Sequence, residues 1–339
     1  MSTAGSPHIG VLLSGDGMSL EKVVDLAVGA EDAGFESVWH VQIQREPFVP
    51  LTAVAARTKR IRIGTGVATW AHQPVLAALM SASLSELAGG RFVLGLGAGP
   101  KEWNERFFGM TYDRPVDRMR EYIETVRGVW SAHSGASFDY EGSMYKVEGF
   151  SRTVAQPYER IPIYLGTVQE KMLRLAGAIA DGVLFNVFTT PRYVAEYAVP
   201  VLSEAAQKAG RSVEEMELAA VVTTAVHDDG AQARDWARRH LAFYSVIPYF
   251  DVMFRLHGFE QEAAAVRAAA GRDDVNGMLA AVTDEMVDTF AIAGTPDQCR
   301  AKLASFDNVR LVVFFSPSFQ LGPDEIAANY DAILSCFAS

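Results

Sequence analysis

The chain has 339 residues, of which 49% are hydrophobic and 21% charged, a balance that excludes a disordered or collagen-like chain and leaves room for a large core. Lys and Arg number 30 against 41 Asp and Glu, a formal net charge of −11, so nucleic acid is not an expected partner. Apolar runs such as Leu311 to Phe315 fall far short of the roughly 20 residues that cross a bilayer, and with no secretory pattern before His8 the expected location is the cytoplasm.

From His8 onward, short runs rich in Val, Ile, Leu and Phe alternate with stretches of helical period, the signature of βα repetition. The predicted strands are His8 to Leu13, Glu36 to Val41, Ile61 to Val67, Arg91 to Gly97, Ile161 to Gly166, Asp181 to Asn186, Glu217 to Val226 and Val309 to Phe315. Most are apolar at successive positions, as strands covered on both faces are. Eight such units in a chain of this length predict an α/β fold, a closed (β/α)8 TIM barrel, with a doubly wound open sheet as the rival. Before strand five, Arg114 to Ala132 carries Val116, Met119, Ile123, Val126 and Trp130 at spacings of three and four, which predicts an amphipathic helix on the sheet. Residues 137–147 (SFDYEGSMYKV) alternate aromatic and polar positions around Glu141-Gly142 and predict an inserted β-hairpin. Residues 231–290 are helical in pattern and about twice as long as a βα connection needs, with Phe243, Tyr244, Tyr249, Phe250 and Phe254 among them. Such an insertion after strand seven lies at the barrel mouth, as a lid or as scaffold. Thr295-Pro296-Asp297-Gln298 then reads as a helix start. With no composition break, residues 1–339 are expected to form one domain. Cys299 and Cys336 match no metal or disulfide pattern, and no metal is expected.

Chemistry in such a barrel gathers at the C-terminal ends of the strands. His40, Gln42, Gln44, His72, Asn104, Thr167, Asn186 and His227 fall there, and His8 falls at the other end. Neither HExxH nor GxSxG occurs, which leaves hydrolysis by zinc or an activated serine without support. The strand ends offer glycine instead: Gly64 and Gly66, then Gly95, Gly97 and Gly99, then Gly166. Without Cβ, a flat ring or a phosphate can approach the main chain. GLGAGP does not match the dinucleotide fingerprint GxGxxG, but three glycine clusters on one rim point to a bound planar cofactor.

Four segments carry a resemblance: GFESVWHV (Gly34 to Val41), RTKRIRIGTGVATWAHQPVLAA (Arg57 to Ala78), LAGGRFVLGLGAGPKEWNERFFG (Leu87 to Gly109) and DRPVDRMREY (Asp113 to Tyr122). The chain resembles the bacterial luciferase-like monooxygenase superfamily over nearly its whole length, and within it the branch that uses the deazaflavin coenzyme F420. The resemblance implies a (β/α)8 barrel with the flavin or deazaflavin ring across the C-terminal mouth. It implies a bulge with a non-prolyl cis peptide at Gly66-Val67 as the ring's shelf. Backbone amides at Gly97, Ala98 and Gly99 and at Gly166, Thr167 and Val168 are implied to meet the phosphate-bearing tail, with Asn104 as a polar contact.

Departures from the family pattern matter for the chemistry. Gln42-Ile43 stands where many members have an acidic residue followed by histidine, so His40 is the nearest replacement to move a proton, with Gln42 orienting by hydrogen bonds. Ala98 stands where the luciferases place a phosphate-binding arginine, which favours F420 over FMN. Pro100 stands where deazaflavin sugar phosphate dehydrogenases have a glutamate, which disfavours that substrate. The leading expectation is a hydride transfer between F420 and a largely apolar small organic substrate, by a protein expected to form a homodimer. The alternatives are a reduced-FMN monooxygenase and a noncatalytic homologue that binds the cofactor or a partner subunit.

Overall fold

The computed structural model describes residues 7–43, 45–154 and 160–339; Gln44, named above as a rim residue, lies outside them. The barrel strands are β1 (His8–Leu13), β2 (Ser37–His40), β3 (Arg62–Thr65), β4 (Phe92–Gly97), β5 (Ile163–Gly166), β6 (Gly182–Phe185), β7 (Glu217–Val226) and β8 (Leu311–Phe315). Each pairs in parallel with the next, and β8 pairs with β1 from His8↔Leu311 to Leu12↔Phe315. That last pairing closes the sheet, which the open doubly wound alternative does not do. Every residue of β4 and β8 is buried, the physical reason their sequences show no alternation.

The barrel interior is identified by Gly66. A Cβ there would come within 4 Å of Leu12, Trp39 and Leu184, from β1, β2 and β6, and only an inward-facing position meets all three. Trp39 therefore faces inward, as do Phe315, the register partner of Leu12, and Thr223, the partner of Phe315. At the N-terminal end, Arg62 is bonded through both terminal nitrogens to Glu217 at 2.7 and 3.0 Å and also meets Glu36 at 3.0 Å.

The two insertions form as the pattern predicts. The hairpin joins Phe138–Glu141 to Lys146–Phe150, running three residues past its expected end. Its turn is fixed by Glu121, whose carboxylate accepts from the amides of Ser143, Met144 and Tyr145. After β7 come the helices Gly230–Ser245, Asp251–His257, Glu260–Ala270, Val275–Ala281 and Asp284–Phe290, with a tight turn at Pro248–Phe250. A strand beyond the eight predicted, Ala291–Gly294, pairs with Thr223 to Val226. β7 is longer than the register of β8, which covers Ala219 to Thr223, so its upper peptide groups need another partner. The helix predicted near residue 114 spans Pro115–Ser131, and Thr295 donates its amide to Gln298 Oε1 at 2.9 Å ahead of the helix Pro296–Leu303. No helix among the described residues is long and apolar enough to cross a membrane.

Candidate active site at the barrel mouth

The mouth is organised by a bulge where β3 ends. Gly64 is opposite Val93 and Ala68 is opposite Leu96, so four residue steps on one strand answer three on the other. The Gly66-Val67 peptide within this bulge is cis, at the position the family resemblance implies.

Gln42 clamps the bulge from outside. Its amide donates to the Val67 carbonyl at 3.3 Å, and its side-chain Oε1 accepts from the Thr69 amide at 2.9 Å. It thus orients the shelf by holding the main chain on either side of Ala68.

The glycines have tighter reasons than access for a ligand. A Cβ on Gly95 would lie 1.9 Å from the Thr65 carbonyl oxygen, and a Cβ on Gly97 or Gly166 would lie 2.6 Å from a methyl of Val67. Val67, half-buried, rests across two strands whose side chains are absent to receive it, and so floors the mouth. Gly66 points down into the packed interior, not up at an approaching ring. Gly99 is left-handed at φ 66°, with Asn104 and Thr69 both 3.3 Å from where its Cβ would be.

Asn104 is 1% exposed. Its Nδ2 donates to the carbonyls of Ala98 and Pro100 at 2.8 and 2.9 Å, and its Oδ1 accepts from Trp70 Nε1 at 2.6 Å. With both amide protons committed to the chain, Asn104 shapes the loop after β4 and has none to offer a ligand, contrary to the direct contact expected of it. Beside it, the amides of Ala98, Gly99 and Thr167 have no chain acceptor among the described residues. The Val168 amide does have a partner, the Tyr249 hydroxyl at 3.1 Å.

His40 departs most from expectation. Trp39 faces the barrel interior, and side chains alternate along a strand, so His40, the last residue of β2, looks outward. Its ring is 1% exposed and approaches Gly15 of the loop after β1. Its Nδ1 meets the Val41 carbonyl at 3.0 Å, while Nε2 is buried without a partner. Burial, reinforced by the charge of Arg45, holds its pKa down at about 4. β2 also stops at His40, so His40 and Gln42 do not share an extended strand's face. Other rim residues are tied up locally: His227 Nδ1 accepts from the Asp229 amide, and Asn186 Oδ1 accepts from the Val187 amide. His72 packs edge-on against Phe48.

Two groups escaped sequence reasoning. His240, on the helix Gly230–Ser245, is 1% exposed, and both ring nitrogens are buried without a partner. It packs edge-on against Phe315 with centroids 5.0 Å apart and beside Tyr244 at 4.8 Å. Burial pushes its pKa down to about 3. Thr223, also facing inward, is fully buried with Oγ1 unpaired. Unpaired polar atoms in so apolar a place each cost about 1–3 kcal/mol, which marks a place where a ligand's polar group would be favoured. The one available signal was a histidine among the insertion's aromatic residues.

Residues 2–311 match the family model described as luciferase-like monooxygenase. The chain belongs to that family. Among its luciferase-like relatives, the 5,10-methylenetetrahydromethanopterin reductase of Archaeoglobus fulgidus is 36% identical over 307 residues, covering 87% of this chain and 89% of the relative. The solved coenzyme F420 dependent tetrahydromethanopterin reductase from Methanopyrus kandleri superposes with a TM-score of 0.83 at 28% identity, over 97% of this chain and 98% of the other. An F420-dependent secondary alcohol dehydrogenase shares the fold, with a TM-score of 0.75 at 18% identity over 99% and 100% of the two chains. These luciferase-like barrels bear out the predicted architecture.

Proposed function

We propose that the protein is a coenzyme F420-dependent oxidoreductase that passes a hydride between the deazaflavin and a largely apolar organic substrate under the strand-seven insertion. The observation that carries this reading is the likeness to the F420-dependent reductase from Methanopyrus kandleri over almost all of both chains. The mouth fits such a cofactor on its own terms. Val67 floors it, the unpaired amides of Ala98, Gly99 and Thr167 suit an anionic tail, and Ala98 brings no cation of the kind the luciferases use.

When bound, the deazaflavin supplies hydride transfer at its C5. The chain's own residues position and exclude water. Gln42 holds the shelf of Gly66 and Val67; Gly97 and Gly166 admit Val67; Asn104 sets the loop of Ala98 and Gly99; Thr167 presents its amide beside that of Val168, which Tyr249 occupies. Leu12, Trp39, Leu184 and Phe315 make the upper interior apolar, which favours an apolar substrate body. His240 and Thr223 are the polar groups available to a substrate there, and His240, neutral near pH 7, takes the role first expected of His40.

We also assign a homodimer contact to the outer helices Phe48–Arg57 and Pro74–Leu87, where Val49, Leu76, Leu79 and Leu87 stand 61%, 52%, 37% and 50% exposed. Val49, Leu79 and Leu87 line one shallow apolar hollow, and an exposed apolar patch of this kind is covered when two copies meet across a twofold axis. Leu79→Arg should shift the protein to monomer in sedimentation.

Titration with F420 and, separately, with FMN tests the cofactor reading. Tight binding of F420 and turnover of the reduced form support it. Tight FMN binding alone would transfer the protein to the monooxygenase reading, and binding without turnover of any substrate to the noncatalytic one.

A further inference from the structure

Tyr249 sits at the tight turn Pro248–Phe250, between two helices of the strand-seven insertion, and reaches the loop after β5. Its hydroxyl oxygen accepts from the Val168 amide at 3.1 Å and lies 3.4 Å from Thr167 Oγ1. Its carbonyl accepts from the side-chain amide of Gln169. On the other side of the same loop, the Tyr193 hydroxyl donates to the Val168 carbonyl at 2.7 Å. The loop is therefore fixed in place, and the next amide along it, that of Thr167, has no chain acceptor among the described residues.

An oxygen bonded to one amide, beside a second free amide and a threonine hydroxyl, occupies the place that a phosphate oxygen would find attractive. We propose that the Tyr249 hydroxyl is a removable stand-in for a phosphate oxygen, and that a phosphate-bearing cofactor must displace it to reach the Val168 amide. This rests on the cofactor reading above, and it adds a specificity-determining residue from the insertion.

The direction of exchange follows from charge. A neutral phenol accepts a weaker hydrogen bond than an anionic oxygen does, so the amide gains on the swap. Tyr249 is the more exposed of the pair, at 37% against 2% for Phe250, and beyond its edge contact with Phe250 it has less to hold it than Phe250, which is packed against Phe188 and Tyr244. Rotation of Tyr249 alone empties the position while Phe250 keeps the turn anchored. Until then the hydroxyl keeps a buried amide satisfied.

The test uses Tyr249→Phe, which keeps the ring and removes the oxygen. Dissociation constants are measured for F420 and for its dephosphorylated deazaflavin core, with amide hydrogen exchange at Val168 as a second readout. Loss of one competing neutral hydrogen bond should tighten F420 binding about fivefold and leave the core unchanged. Val168 exchange should be slow in the ligand-free wild type, fast in the ligand-free variant and slow again with F420. Equal affinities of wild type and variant for F420 would overturn the proposal, as would weaker binding by the variant, which would make Tyr249 a direct contact. If wild type binds F420 and core equally, the loop takes no phosphate and the proposal fails while the cofactor reading stands; if it binds neither, both fail.

Discussion

The two ends of the barrel treat polar groups in opposite ways. At the N-terminal end charges are paired and amides are capped: Arg62 with Glu217 and Glu36, Asp181 with Arg127 and Arg160 and the Ile163 amide, and Glu31 accepting from the amides of Lys59, Arg60 and Ile61. Those three amide bonds, with Arg60, outweigh the opposing effect of burial and lower the Glu31 pKa. At the C-terminal end more is unfinished: His40 Nε2, Thr223 Oγ1 and both nitrogens of His240 are buried without partners, against Arg62 Nε at the other end. A folded chain tolerates unpaired buried groups only where something else completes them or where packing elsewhere compensates. The contrast assigns stability to one end and ligand chemistry to the other, as the architecture requires.

The largest expected effect breaks the paired end. Arg62→Ala leaves Glu217, 10% exposed in its side chain, as a nearly buried charge without its main partner, a loss of about 4 kcal/mol. Thermal unfolding should show it, while the fraction still folded keeps its cofactor affinity. A fall in affinity as large as the fall in stability would mean that the two ends are not separate.

Acid should act on the unfinished end. His40 has its pKa held down at about 4 against an ordinary 6.5, chiefly by burial, and His240 is depressed to about 3 for the same reason. The unfolded chain then takes up protons that the folded one refuses, so this contribution is complete above pH 6.5 and is lost as pH falls toward 4. For His40 the loss is about 3 kcal/mol. Chemical denaturation across that range should give a shallower slope for His40→Gln than for wild type; an unchanged slope would mean that His40 titrates normally.

A smaller effect sharpens the account of the glycines. Gly166→Ala puts a Cβ 2.6 Å from Val67 Cγ1 and should cost about 2 kcal/mol by overpacking. Val67→Ala in the same chain should recover most of that loss. Strict additivity in the double-mutant cycle would show that the residues do not touch. The least disruptive change is Gln42→Leu, which strands the Thr69 amide at about 1 kcal/mol and should weaken cofactor binding with it. Gln42→Glu retains the acceptor and should restore both; failure to restore them would remove the clamp from the argument.

Eight apolar runs were legible as eight strands because burial on both faces leaves little room for polar residues. β1 and β7 fall at their predicted limits, His8–Leu13 and Glu217–Val226, and the other six lie within theirs. The bulge at Gly66-Val67 was legible through the family motif around it. Less legible was what each glycine is for. An added Cβ at Gly97 or Gly166 meets Val67, and Val67 belongs to neither residue's own strand. Sequence shows that side chains are missing there and not which neighbour fills the space.

What the sequence determined by itself, then, is the repeating element: period, burial and turn chemistry are local properties, and they specify βα units, the hairpin and a helical insertion. Tertiary structure alone decided the site's assignments. Gln42 meets Thr69 across 27 residues, and Tyr249 meets Val168 across 81. His40 turned outward and Asn104 inward because a strand's end and a loop's path are set by pairing with distant partners. A contact's partners in space depend on how the barrel closes, which no local pattern of residues encodes.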